Sequence, residues 1–269
     1  MNATAAATAA ATQAALWGRR PADWARLAEP QNVPLFSAVL DALDVGRGTR
    51  LVDLGCGSGL AARMAAERGA TVAGIDATPE LLEIARERVP DGAFHVAALE
   101  ETPLHDGAFD AATGFNAFQF AADPVAAVRE AARIVRGDGG LVAASAFAEP
   151  ERCESTALHL AMKAAVGARD DGYAPYALSG PEGLQQLLAD AGLEPVASGE
   201  VSLAWAHGSV QDTILSVLCS AGGARAMEAV GEAAVRAALE PAIAPFARPD
   251  GSVSMDNVFR YAIGRVTVA

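Results

Sequence analysis

The sequence is poor in cysteine, in basic charge and in long apolar runs. Its three cysteines, Cys56, Cys153 and Cys219, stand far apart, with no Cys-x-x-Cys pair and no zinc-type spacing. A scattered, odd set excludes a disulfide framework and is expected of a reducing compartment. Lys and Arg number 20 against 33 Asp and Glu, so the formal net charge is -13 and the pI about 4.7. Such a field repels phosphate backbones and anionic membrane surfaces, and the arginines stand singly with no basic cluster. Neither a nucleic-acid nor a membrane partner is expected. No uninterrupted apolar run reaches ~18 residues, the length a spanning helix needs. The opening MNATAAATAAATQAA lacks the basic region of a secretory signal and the arginines of a transit peptide. Residues 1–15 are therefore expected to be a disordered tail, and the protein to be cytoplasmic.

Hydrophobic residues make up 52% of the 269, much of it alanine, which favours helices but buries little area per residue. Residues 16–48 read as a helical cap that Pro21, Pro30 and Pro34 cut into short pieces. Trp17 and Trp24, seven apart, fall on one helix face if the helix continues through Pro21. They form either a packing stripe or a cover over a ligand. From TRLVDLG onward, strands alternate with helices: SGLAARMAAERG, ATVAGIDA, TPELLEIARERV, AFHVAA, FDAATGFNAF, DPVAAVREAARIVR and GGLVAASAF. Five strands joined by helical crossovers imply an α/β, doubly wound, Rossmann-like parallel sheet. Beyond Pro150 the alternation breaks. Helical insertions are expected at about 150–180 and 208–246, the second lying before a closing strand, DNVFRYAIGRVTV, so that 49–269 forms one domain.

The stretch VDLGCGSG places three glycines directly behind the first strand. A glycine-rich strand-to-helix turn lets a ligand approach backbone N–H groups. The nicotinamide fingerprint G-x-G-x-x-G would need a third glycine where Leu60 stands, and Asp53 would set a carboxylate beside a pyrophosphate. S-adenosylmethionine suits the turn better, because it carries an ammonium and a sulfonium and no phosphate. Asp76, at the end of the second strand, is positioned for the hydroxyls of a ribose, or else partners the start of the following helix.

With LVDLGCGSG, AGIDAT, FHVAALEETPLHDGAFD, TGFNAFQFAADP and EAARIVRGDGG all in place, residues 50–147 resemble the class I S-adenosylmethionine-dependent methyltransferases. The likeness is to the small-molecule group that includes ubiquinone and menaquinone methyltransferases. The resemblance implies seven strands in the order 3-2-1-4-5-7-6, the last antiparallel. It implies that Gly55, Cys56 and Gly57 pass beneath the methionine part and adenosine, and that Asp53 helps to hold the amino group. Asp76 would hold the ribose with Ala77 beside the adenine, Leu99 and Glu100 would follow the adenine edge, and Phe115 and Asn116 would line the methionine end. The chain departs from the family at Ala98, where an aspartate is usual; Glu100 is the candidate substitute.

Methyl transfer needs a general base only when the acceptor arrives protonated. Candidates are His159, His207, Tyr173 and Tyr176, with Gln119 placed to orient a polar acceptor between Phe115, Phe118 and Phe120. The alanine- and leucine-rich helices would make the pocket apolar and favour a small, partly hydrophobic acceptor. No ligand-like spacing of acids and histidines supports a metal. The expected assembly is a monomer or homodimer. Two readings keep the cofactor without methyl transfer: a cyclase or isomerase that uses the bound sulfonium's charge, and a non-catalytic binding protein.

Overall fold

The computed structural model describes residues 3–167 and 175–267. Helix α1 (Ala3–Trp17) leads through α2 (Pro21–Asp23), a π turn (Trp24–Ala28) and a 3-10 turn (Glu29–Asn32) into α3 (Val33–Ala42). The alternating part follows as β1 (Arg50–Leu54), α4 (Leu60–Glu67), β2 (Thr71–Asp76), α5 (Pro79–Arg88), β3 (Ala93–Val96), β4 (Ala111–Phe115), α6 (Pro124–Ile134) and β5 (Leu141–Phe147). The remainder is α7 (Thr156–Val166), α8 (Gly183–Asp190), β6 (Glu194–His207), α9 (Val210–Leu218), α10 (Ala221–Val230), α11 (Glu232–Ile243) and β7 (Val253–Arg265).

The strands form one sheet in the order β3-β2-β1-β4-β5-β7-β6, as the resemblance implied. β7 runs antiparallel to both of its neighbours, and the other pairings are parallel. β1 is buried along almost its whole length, the signature of a strand covered on both faces. Leu51 joins the core on one face, with Leu35, Val39 and Leu82, whereas Val52 and Leu54 join the other, with Val128 and Ile134. The long edge strand β6 is interrupted by a bulge between Pro195 and Ala197, a feature that blunts edge pairing.

Residues 3–15, expected to be disordered, are helical instead. Alanine supplies the propensity, but docking supplies the stability, because an isolated helix of this length is marginal. Ala6 and Leu16 are buried, Leu16 packs on Ala221 and Ala224 of α10, and Arg19 and Arg20 pair with Glu228 (2.5 Å) and Glu232 (2.6 Å). The helix stops before Pro21, so Trp17 and Trp24 do not share one helix face. They still meet edge to face, ring centroids 4.8 Å apart, because the chain turns back between them.

A buried ion pair fastens this cap to the sheet. Glu29 is 3% exposed and pairs with Arg88 at the end of α5. Ser58 Oγ donates to Glu29 Oε2 (2.5 Å), and Arg88 also donates to Ser58 O (2.9 Å) and Ala25 O (3.0 Å). One guanidinium thus joins cap, glycine loop and α5. Burial still holds the Glu29 carboxyl above the ordinary range, against the opposing pull of Arg88 and Ser58. Arg88→Ala is expected to cost about 3–5 kcal/mol of stability at neutral pH, because it leaves a buried carboxylate unpaired. The loss should shrink at acid pH as Glu29 takes up a proton. Urea denaturation at two pH values measures both.

Candidate functional site

The ends of β1, β2 and β4 meet at the glycine loop. Gly55, Gly57 and Gly59 all have positive φ (73°, 54° and 79°), so any side chain there is strained. The three glycines answer to different neighbours. A Cβ on Gly55 would stand 2.5 Å from Ala117 Cβ, and one on Gly59 2.7 Å from Ala85 Cβ, so both are fixed by the protein's own packing. A Cβ on Gly57 would instead face Trp24 Nε1 (3.4 Å) and Glu29 Oε1 (3.5 Å). Cys56 is buried with its sulfur so near Gly74 that a Cβ there would come within 2.7 Å. Burial and the surrounding carboxylates push its thiol well above the ordinary range, which makes it inert.

Three carboxyl groups converge on this loop. Asp53 is 2% exposed, accepts a hydrogen bond from Thr113 Oγ1 (2.7 Å), and has its pKa raised to about 7. Burial is the main cause; the Thr113 bond opposes it, and the charges of Glu29 and Asp76 add to it. Asp76 Oδ2 accepts from Gly57 N–H (2.9 Å) and Oδ1 from Thr78 N–H (2.8 Å), yet burial still raises its pKa. Asp76 therefore also serves the start of α5, where the Thr78 side chain itself makes no cap.

The acids line a cavity of about 210 Å³ in which all ten residues of the expected cofactor set meet: Asp53, Gly55, Cys56, Gly57, Asp76, Ala77, Leu99, Glu100, Phe115 and Asn116. A single water needs only about 10–15 Å³ on this measure, so the space is ligand-sized. Asn116 ends β4 with φ of 50°, a rare conformation for a residue other than glycine, and its buried Oδ1 has no protein partner. Both amide atoms of Gln119 and the indole nitrogens of Trp24 and Trp205 are likewise buried without partners in the cavity wall. Buried polar groups are rarely left so, and these five atoms on four side chains around one space are placed for polar contacts with a ligand. Glu100 Oε1 accepts from Ala122 N–H (2.7 Å) and Asp123 N–H (3.2 Å), so it braces the segment before α6 as well as bordering Ala98.

Away from the acids the lining turns aromatic and aliphatic: Phe147, Leu158, Met162, Pro175, Trp205 and Val217. His159 and His207 both face the cavity, and burial holds both below the ordinary histidine range. Tyr176 lies behind His159, its hydroxyl 3.4 Å from Nδ1. Tyr173 falls outside the described residues. Phe118 belongs to the core, packed on Gly114, whereas Phe120 meets Trp17 at 6.0 Å between centroids and Phe115 meets Phe36 at 4.6 Å. The sequence reading missed Glu29, the Arg88 link, Trp205, and the α1 residues Ala9, Ala10 and Gln13, which close the cavity beside Trp17. Glu29 had one legible signal, an acid just before Pro30 between the apolar pairs Leu27–Ala28 and Val33–Leu35.

Residues 52–143 match the family model described as a methyltransferase domain. Over that stretch the chain is similar to methyltransferase domains. It is 35% identical over 136 residues to an uncharacterised protein of Mycobacterium bovis, covering 49% of each chain. Over 117 residues it is 34% identical to a ubiquinone biosynthesis O-methyltransferase of Xanthomonas oryzae pv. oryzae, covering 42% of this chain and 47% of the other. The chain thus spans about half the length of the curated relatives it matches. Among solved structures, a methyltransferase-like protein of Bacillus halodurans superposes with a TM-score of 0.58 at 15% identity, over 87% of this chain and 99% of the other. The [4+2]-cyclase SpnF does so with 0.54 at 20% identity, over 87% and 80%. At these identities the likeness is one of fold.

The cofactor that such a methyltransferase domain implies is S-adenosylmethionine, and the site fits it. Clustered acids whose ionisation burial disfavours would be relieved by a cation, and the unpartnered polar atoms await donors and acceptors. Among the described residues no His, Cys, Asp and Glu side chains group to hold a metal, and no helix is long and apolar enough to cross a membrane. Replacing Asn116 with Gly should relieve the backbone, raising stability by about 1 kcal/mol, while weakening S-adenosylmethionine binding through loss of Oδ1. Thermal melting and calorimetric titration of the same variant test both halves.

Proposed function

We propose that the protein transfers a methyl group from S-adenosylmethionine to a small, partly apolar acceptor by in-line displacement. The observation that carries this reading is the polarity of one cavity: Asp53, Asp76 and Glu29 gather at one end, and Phe147, Met162 and Trp205 wall the other. Bound there, the cofactor supplies an electrophilic methyl group on a sulfonium. Asp53 and Glu29 favour the cationic end, and Asp76, already held by the loop, turns its remaining lone pairs toward the ribose hydroxyls. Ala77, Leu99 and Glu100 border the adenine, and Phe115 and Asn116 guide the methionine end.

The rest of the work is positioning. Aligning the two reactants and excluding water supplies much of the rate, on the order of 7–11 kcal/mol in well-oriented cases. The roof of α1, α7 and α9 residues suits a small molecule better than a polymer. A cyclase or a non-catalytic binder would use the same cofactor end, but neither would release S-adenosylhomocysteine. A nicotinamide nucleotide is disfavoured, since its pyrophosphate would meet Asp53 and Glu29. Parallel calorimetric titrations with S-adenosylmethionine, S-adenosylhomocysteine and NAD test the cofactor, and release of S-adenosylhomocysteine with an acceptor panel tests turnover. Binding of the first two and not the third is expected.

The acid cluster gives this binding a pH signature. Below about pH 7 Asp53 is largely protonated and attracts a cation weakly; above it the carboxylate is ionised. The affinity for S-adenosylmethionine relative to S-adenosylhomocysteine, which lacks the sulfonium, should rise several-fold across that pKa and then level off. A flat ratio would remove Asp53 from the cationic end. In the free protein the same raised pKa contributes stability below the unfolded value near 3.8 that is lost as pH rises through about 7. Gly57→Ala adds a further test: the variant should fold with a loss of about 1–2 kcal/mol from its positive φ and bind the cofactor at least tenfold more weakly. Unchanged binding would show that Gly57 is required only by the turn.

A further inference from the structure

Strand β6 lies at the edge of the sheet, and its register determines which of its backbone groups face outward. Ala206 N–H donates to Gln31 Oε1 (2.8 Å) and Ala206 O accepts from Gln31 Nε2 (3.1 Å), so the Ala206 backbone points away from β7. On the far side of β7, Val258 O accepts from Ala148 N–H (2.9 Å) and Asp256 O from Glu154 N–H (2.9 Å). These two residues, the partners of Ser202 and Ala204, are thus turned away from β6. With a period of two, Ser198, Glu200, Ser202 and Ala204 present their N–H and C=O groups to the open side, as Ala206 does. Among the described residues nothing pairs with those four groups there, and all four residues are exposed.

The open stretch has defined ends. At one, Gln31 fills the place of a neighbouring strand beside Ala206. At the other, Pro195 has no N–H to offer and the bulge between Pro195 and Ala197 bends the chain. An exposed edge is ordinarily blunted along its length, yet here only the ends are. Between them the side chains are small or turned back onto their own sheet. Glu200 is held by Arg152 (2.7 Å) and Arg260 (3.0 Å), and Glu149 pairs with the same Arg260 (2.9 Å), so two acids and two arginines cancel.

We propose that this edge pairs with itself: two copies of the chain join β6 to β6, antiparallel, about a two-fold axis at Val201. That axis sets Ser198 opposite Ala204 of the second copy and Glu200 opposite its Ser202, so every open position is paired. An axis at Ser202 would drive Ser198 into the place that Gln31 holds, and an axis at Glu200 would set two glutamates face to face. Val201 meets its own counterpart, a β-branched pair of the kind that stabilises neighbouring strands. The same axis carries Val196 to a position opposite Ala206 of the second copy, where Gln31 stands and Val33 follows two residues on. Val33 and Val196 are two of the four exposed large apolar side chains among the described residues. The contact uses the same patch on both copies and closes on itself, so assembly stops at a dimer. The two seven-stranded sheets then run on as one.

Analytical ultracentrifugation of the full chain tests the assembly. In about 0.3 M salt, which screens the mutual repulsion of two chains of net charge -13, the expected species at about 50 µM has twice the 27.4 kDa of one chain. Ser202→Pro removes an outward N–H without touching the bonds to β7, so it should keep the melting temperature and weaken association by at least about tenfold. Cysteines test the register, since the three native ones are buried. Directly opposed residues of a non-hydrogen-bonded antiparallel pair have Cα atoms about 4.5 Å apart, within the ~4.4–6.8 Å that a disulfide spans. Diamide, which takes up the two thiol hydrogens, should therefore join Val201→Cys chains into covalent dimers. Ser202→Cys chains, offset from one another across the axis, should be joined several-fold less. This second arm decides the question even where the proline variant does not fold. A wild-type chain that stays monomeric, a folded Ser202→Pro variant that associates as before, or equal cross-linking at positions 201 and 202 would each overturn the proposal.

Discussion

Three carboxyl groups crowd one loop of a chain whose net charge is already -13, and the local structure is organised around making that tolerable. Mutual repulsion and burial both disfavour ionisation, so each group is held by donors from a different element. Glu29 receives Ser58 Oγ–H and Arg88, Asp53 receives Thr113 Oγ1–H, and Asp76 receives two backbone N–H groups. The glycine loop contributes to two of the three, which ties its left-handed backbone to the acids as well as to Ala117 and Ala85. A surface cluster of the same charge would be screened by water and salt; here burial pushes all three carboxyls toward their neutral forms.

The same interactions decide what covers the site. Arg88 bridges the Glu29 carboxylate and the Ala25 carbonyl, so the cap from Ala25 to Asn32 is held to the sheet through one side chain. That fixes Trp24 over Gly57, and Trp24 in turn supports Trp17 at the end of α1. Helix α1 reaches its place by small-residue packing on α10, where Ala221 and Ala224 let Leu16 approach closely. The closure of the cavity on this side is therefore coupled to the acids beneath it, through a chain of contacts from α10 to α5.

What the sequence discloses here follows physical range. Strands β1 to β5 and their helices were legible because their signals are local: apolar runs, Thr78 with Pro79, and glycines at turns. The loop VDLGCGSG and the acids Asp53 and Asp76 were legible for the same reason, being adjacent to strand ends. Helix α1 was misread because an alanine- and threonine-rich stretch carries no amphipathic stripe; its order comes from α10, over two hundred residues away. The Glu29–Arg88 pair spans 59 residues and leaves no periodicity. His159 was visible only as one histidine among four, since its contacts with the Ser155 carbonyl, Tyr176 and Phe147 form only in the fold.

The cavity thus combines two environments that would spoil each other if mixed. A histidine placed among Asp53, Asp76 and Glu29 would have its imidazolium stabilised. Set instead against Phe147 and Tyr176, His159 is pushed by burial toward the neutral form, with the Ser155 carbonyl opposing only in part. The acids, for their part, gain from a cation and would lose affinity for it if a protonated base stood beside them. Separating a carboxylate end from an aromatic end gives one ligand-sized space a wall of buried acids and a wall where burial favours neutral groups. Burial acts on both walls, raising the carboxyls and lowering the histidine from their ordinary values, so that each wall is biased toward its neutral form.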